Sequence, residues 1–201
     1  HVWSALTGAF GVARGVFGSE KHLFSFYDGA ELYRRILNDL ADYQIRLLER
    51  VYQVLTPDFM TFAEDMSYNK GPMISEELYD TFIAPHYAKV TPILHAHGTK
   101  VIMDSDGDIS RMIPWMQRSG IDGVLPLERQ AGVDVCALRE QYPGFLFIGA
   151  FDKMTMRQST DAMRSEFQRL LPAMRSGGFI PACDHQTPPD VPLERYHDYV
   201  A

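Results

Sequence analysis

Asp104-Ser105-Asp106-Gly107-Asp108 and Cys183-Asp184-His185 set carboxylates, a thiol and an imidazole directly behind two short apolar runs, and Glu128 stands behind a third. Side chains two apart on an extended segment leave on the same side, which groups Asp104 with Asp106 and Cys183 with His185. Such donors converging from three strand ends can hold a divalent metal, and a thiolate among them favours zinc over magnesium or calcium. On this reading Asp104, Asp106, Glu128 and Cys183 are the metal ligands, and Asp104, Asp106, Glu128 and His185 carry the chemistry. A plainer reading competes. The aspartates, Asp108 above all, would cap a helix opening at Ile109 and sit at its dipole. Glu128 would pair with Arg129 at the surface, Cys183 would be a packed thiol, and His185 would bond to backbone. The spacing is no standard zinc signature. His95-Ala96-His97 falls near a helix end on the opposite side and is set aside as a ligand pair.

Five apolar runs end in this manner. They lead into Glu64-Asp65, Asp104, Glu128, Asp152 and Cys183, and the stretches between are long enough for a helix and two loops. Continuous apolar runs of this length are strands buried on both faces, so the pattern is a βα repeat whose strand ends open on one mouth. Strands are expected near residues 2–6, 58–64, 100–104, 123–127, 145–150 and 179–183. Glycines break a first segment that closes near Gly18. The spacing then predicts a long helix from Asp28, as N-cap, to Leu55. A second runs from Ser75 to Gly98, kinked at Pro85 and Pro92, and others cover 109–119, 133–142 and 155–176, with a last short helix from Leu193. The 66–74 loop with Lys70-Gly71-Pro72 lies on the mouth side, where it can act as a lid.

Six strands are two short of a (β/α)₈ TIM barrel, which takes about 250 residues. The expectation is one domain over 1–201 that is either a barrel lacking its first two βα units or an open doubly wound sheet. No glycine fingerprint for a dinucleotide or a P-loop follows any strand.

The 201 residues carry 19 Lys and Arg against 26 Asp and Glu, a net charge of −7, and 46% of them are hydrophobic. That is globular composition, and the absence of a basic run argues against nucleic acid as a partner. No stretch approaches a membrane span, and no secretion signal opens the chain, so a soluble, cytoplasmic protein is expected. The chain starts at His1, inside an apolar run, which leaves room for a segment upstream. Two cysteines without CxxC pairing suit a reduced compartment. Cys136 sits in a helical pattern as a small buried hydrophobe.

Asp104-Ser105-Asp106-Gly107-Asp108 and Pro181-Ala182-Cys183-Asp184-His185-Gln186-Thr187-Pro188-Pro189-Asp190-Val191, with Glu64-Asp65-Met66 and Gly149-Ala150-Phe151-Asp152-Lys153 between consistent helices, resemble the uroporphyrinogen decarboxylase superfamily over nearly the whole chain, its motifs falling in order. The resemblance implies a (β/α)₈ barrel of which this chain is the last six units. It also implies one of two chemistries. One is decarboxylation of a tetrapyrrole without cofactor; the other is zinc-dependent methyl transfer between a corrinoid protein and a thiol such as coenzyme M. The zinc methyltransferases carry His-x-Cys-Gly at one strand end and a Cys on the last strand. Asp104-Ser105-Asp106-Gly107 matches the first in position with both ligands replaced by aspartate, and Cys183 matches the second. His185 matches a histidine at the last strand end of the true decarboxylases. The resemblance places the substrate, a tetrapyrrole or a methyl donor or acceptor, among Phe10, Arg14, Asp65, Arg129, Asp152 and Lys153. Metal-assisted methyl transfer is the leading expectation, because an acidic mouth suits a cation better than a polycarboxylate. Decarboxylation would instead use Arg14, Arg129, Lys153 and Arg157 as cations. A non-catalytic binding module built from an incomplete barrel is the third possibility.

Overall fold

The computed structural model describes residues 2–201. Strand β1 (Trp3–Thr7) is followed by three helices, α1 (Ala9–Phe17), α2 (Ser19–Asp28) and α3 (Ala30–Val51). On α3 the buried residues Tyr33, Leu37, Ala41, Gln44 and Leu48 recur every three or four positions. That is the buried stripe of an amphipathic helix. Tyr33 packs on Phe17 of α1, on His22 and Phe26 of α2 and on Phe82, and Gln44 donates to Thr7 O at the end of β1 at 2.9 Å. Each large apolar side chain in the stripe contributes roughly 1.5–3 kcal/mol. Strand β2 (Phe59–Ala63) leads into a small hairpin, β3 (Ser67–Tyr68) and β4 (Gly71–Pro72). Helix α4 (Glu76–Leu78) continues through one π turn (Tyr79–Ile83) into α5 (Ala84–Ala96). Then alternate β5 (Lys100–Asp104), α6 (Ile113–Arg118), β6 (Gly123–Leu125), α7 (Val135–Gln141), β7 (Leu146–Phe151), α8 (Thr160–Arg175), β8 (Phe179–Cys183) and α9 (Leu193–Val200).

The six long strands form one sheet in the order β1-β2-β5-β6-β7-β8, every neighbouring pair parallel. Parallel, sequential pairing is what right-handed βα units produce. The sheet does not close: β1 and β8 each pair on one side only. Its outer face packs on the helices, as Phe62 does on Tyr87 of α5 and Phe151 on Phe167 and Tyr199 of α8 and α9. At the amino ends of the strands, Phe59, Ile102, Ile148 and Ile180 line an apolar hollow of about 250 Å³. Among the described residues no helix is long and apolar enough to cross a membrane.

Three expectations need correction. Asp28 ends α2 instead of capping a long helix, because Gly29 separates α2 from α3 and is itself the N-cap. The third helix also stops at Val51, short of Leu55. The 66–74 segment is the β3–β4 hairpin and not an open loop. The Ser75 cap is as expected, its hydroxyl accepting from the Leu78 amide at 3.2 Å.

Candidate functional site

The sheet's hydrogen bonds run past the strand ends and set the mouth residues at one level. The Glu64 amide donates to Asp104 O at 2.8 Å, Ser105 N to Leu125 O at 3.0 Å, and Asp184 N to Phe151 O at 2.9 Å. Asp104 pairs in register with Ala63 and Leu125, on the face opposite Met103 and Phe62, and so faces inward. After Ser105 the chain must turn sharply, and Gly107 makes the turn at φ +78°. A Cβ there would lie 2.6 Å from the Tyr68 carbonyl carbon, so the glycine also lets the hairpin lie against the turn. The contact is fixed from both sides. The Asp108 amide donates to Tyr68 O at 3.0 Å, Ser67 Oγ donates to Asp108 O at 2.5 Å, and Met66 N donates to Ser105 Oγ at 3.0 Å.

Donor atoms of Asp106, Glu128 and His185 lie within 4.8 Å of one another, and so do those of Asp65, Asp104 and Asp106. The Gly107 amide orients Glu128 by donating to its Oε2 at 2.8 Å, and His185 Nε2 stands 3.3 Å from Asp106 Oδ2. Asp65, Asp106 and Glu128 border a cavity of about 280 Å³ together with Arg14, Tyr68 and Met73. Burial, then the charges of Asp65 and Asp106, raise the Asp104 carboxyl to about 6, and His185 opposes the shift. Burial and Asp65 likewise raise Asp106. Like charges this close resist joint ionisation, which is the electrostatic condition a bound cation relieves.

Two cations share the mouth. Arg14 donates to Asp65 twice, Nη1 to the backbone oxygen at 3.0 Å and Nη2 to Oδ2 at 2.9 Å. Lys153 Nζ stands 3.7 Å from both Glu128 and Asp184.

Asp104, Asp106, Glu128, His185, Asp65, Arg14 and Lys153 therefore gather at one mouth; four other predicted site residues do not. Cys183 pairs in register with Phe151 and shares its outward face, near Tyr199 and Thr187. It is absent from the ligand groups because the strand's alternation turns it to the helices, and the chain bends after it to bring His185 back. Phe10 is 1% exposed and packs on His22 and Phe26. Arg129 folds its guanidinium onto Val133 O of its own turn. Asp152 caps Met154 at 2.9 Å and accepts from Gln130 Nε2 at 2.9 Å, a loop-joining role. Asp108 caps Ser110 at 3.0 Å, as the plainer reading had it, and His95 pairs with Asp122 at 2.8 Å, apart from these acids.

Two buried acids emerge that were not singled out. Asp184 is fully buried and accepts from the Arg129 amide at 2.9 Å and the Lys153 amide at 3.2 Å, tying the loops after β6 and β7 together. Glu64 is fully buried and accepts from Ala9, Gly11 and the Tyr87 hydroxyl. Burial pushes its carboxyl up to about 7 against the lowering effect of those bonds. Both sit in the acidic strand endings, so their positions were legible, but their partners lie far off in sequence.

Among solved structures the chain resembles a methyltransferase from Methanosarcina mazei, with a TM-score of 0.74 at 14% identity; the match covers 98% of this chain and 56% of that one. At that identity the likeness is one of fold, and the chain spans little more than half the neighbour's length. No curated protein sequence matches it significantly. The family model for uroporphyrinogen decarboxylase (URO-D) matches residues 2–201, and with the sequential parallel sheet and its acidic mouth this makes the chain a member of the URO-D family.

Proposed function

We propose that the chain carries the site of a metal-assisted methyl transfer, to or from a thiol or a corrinoid. The observation behind this is the convergence of Asp106, Glu128 and His185. Two carboxylates and an imidazole are a donor set that zinc accepts without sulfur, and three protein ligands leave one position for substrate, as in catalytic zinc sites. Cys183 has no part in it. The ion, when bound, would supply Lewis acidity that lowers the pKa of a thiol or hydroxyl.

The remaining groups orient and balance. Glu128 is steered by the Gly107 amide, Asp104 adds negative potential behind Asp106, and Lys153 offsets part of it from the Glu128 side. Arg14 engages Asp65 and leaves the inner acids free. Tyr68 and Met73 give the cavity an apolar wall for the uncharged part of a small substrate.

Decarboxylation of a tetrapyrrole needs cations free to hold substrate carboxylates. Arg14 is bonded to Asp65, Arg157 to Asp190 at 2.7 Å and Arg129 to Val133 O, while Lys153 sits between Glu128 and Asp184. Calorimetric titration of chelator-treated protein with zinc tests the proposal. One ion per chain is expected, with affinity falling at least tenfold in His185→Ala and in Asp106→Asn and unchanged in Cys183→Ser. No uptake at micromolar zinc, or loss in Cys183→Ser alone, would overturn it.

A further inference from the structure

Glu64 has no place in the chemistry above, yet it is fully buried one residue before Asp65 at the end of β2. Its Oε1 accepts from the Ala9 amide at 2.9 Å and from the Tyr87 hydroxyl, and its Oε2 accepts from the Gly11 amide at 3.0 Å. Ala9 and Gly11 are the first turn of α1, whose own N-cap, Gly8, offers no side chain. A carboxylate from β2 therefore does the work of a cap on those otherwise unpaired amides.

Gly8 shows how closely the two are fitted. Its φ of −79° is open to any residue, so backbone freedom does not require glycine there. A Cβ at Gly8 would lie 2.1 Å from Glu64 Cδ, so glycine is needed because the carboxylate fills the space. One turn further along α1, Arg14 reaches back to Asp65, the neighbour of Glu64 in the chain and a member of the acidic group with Asp104 and Asp106.

We propose that Glu64 is a positioning residue: joined to Tyr87 of α5, it holds the first turn of α1 so that Arg14 pairs with Asp65 and sets the charge the mouth presents to a cation. This deepens the metal reading and rests on it for its second measurement only. The first needs no metal. Amide exchange over residues 9–14 and the rate at which phenylglyoxal modifies Arg14 are compared in the wild type, Glu64→Gln and Gly8→Ala. The glutamine keeps the volume but turns an amide donor toward one of the amides, and the alanine displaces the carboxylate from the other side. Exchange at least tenfold faster and Arg14 modified at least threefold faster are expected in both, with unfolding still cooperative.

The second measurement is zinc affinity in Glu64→Gln, Arg14→Met and their combination. Arg14→Met removes a positive charge and should tighten binding about threefold or more; Glu64→Gln should shift it the same way, and the double variant no further than the larger single one, because both act through one pair. Unchanged exchange and Arg14 reactivity in both first variants, or additive zinc effects, would overturn the proposal. A wild type that takes up no zinc would instead sink the metal reading and leave the first measurement to decide the role of Glu64.

Discussion

Asp104 carries an electrostatic cost that can be measured. Its carboxyl is raised to about 6, first by burial and then by Asp65 and Asp106. A carboxyl raised in the folded state gives stability that is full below its unfolded value near 4 and is lost as pH rises through about 6. Asp104→Asn removes that loss. The variant should gain roughly 1 kcal/mol at pH 8, a figure discounted for solvent screening because the group is part exposed, and nothing at pH 3.5. Urea unfolding at the two pH values reads the difference, and equal effects at both would mean that the shift has another origin. The same variant should bind zinc less well at pH 8, since the potential that destabilises the empty mouth is the potential that attracts the ion. The sequence disclosed the acids themselves, because apolar runs that stop at Asp or Glu are visible without a structure. Which way Cys183 pointed was not visible. That depended on the alternation along β8 and on a bend after it, and two residues of the same spacing, Cys183 and His185, parted to opposite sides.

At the scale of elements the β3–β4 hairpin and the Asp104–Asp108 turn behave as one piece, bound by three hydrogen bonds and by the missing Cβ of Gly107. Gly107→Ala forces a φ of +78° on an L-residue and sets a methyl against Tyr68 backbone. Each strain of this kind costs about 1–3 kcal/mol. The expected result is a loss of about 2 kcal/mol or more in chemical unfolding, with zinc affinity falling as well, because the Gly107 amide also orients Glu128. Loss of stability with full zinc affinity would show that Glu128 is held by something else. The long helices and central strands were legible in sequence because burial period and length agreed over many residues. The hairpin was not, since two strands of two residues have no period to detect. Nor was the break between α2 and α3, where a single glycine interrupts an otherwise continuous stripe.

Across the whole molecule the acidic cluster and the apolar hollow lie at opposite ends of the sheet. The acids stand at the carboxyl ends of the strands, while Phe59, Ile102, Ile148 and Ile180 line the hollow at the amino ends. Strands β1 and β8 are the sheet's two edges, and each shows a large apolar side chain: Trp3 is 62% exposed and Ile180 58%. Unpaired edges with apolar side chains invite pairing with other chains. The number and order of the main sheet's six strands could be read from sequence, but whether they close on themselves could not, since closure depends on tilt and stagger, which have no residue signature. The open edges lead to a prediction that separates the two ends. The 201-residue chain on its own should self-associate with rising concentration, seen as increasing average mass in sedimentation velocity. Ile180→Lys should shift that association to at least tenfold higher concentration, since a charge on an edge strand blocks docking of another edge. It should leave zinc affinity within twofold of the wild type, because the hollow and the mouth share no lining residue. Association unchanged by Ile180→Lys would move the contact surface away from the inner face of β8, and a parallel loss of zinc would show that the sheet's two ends are coupled.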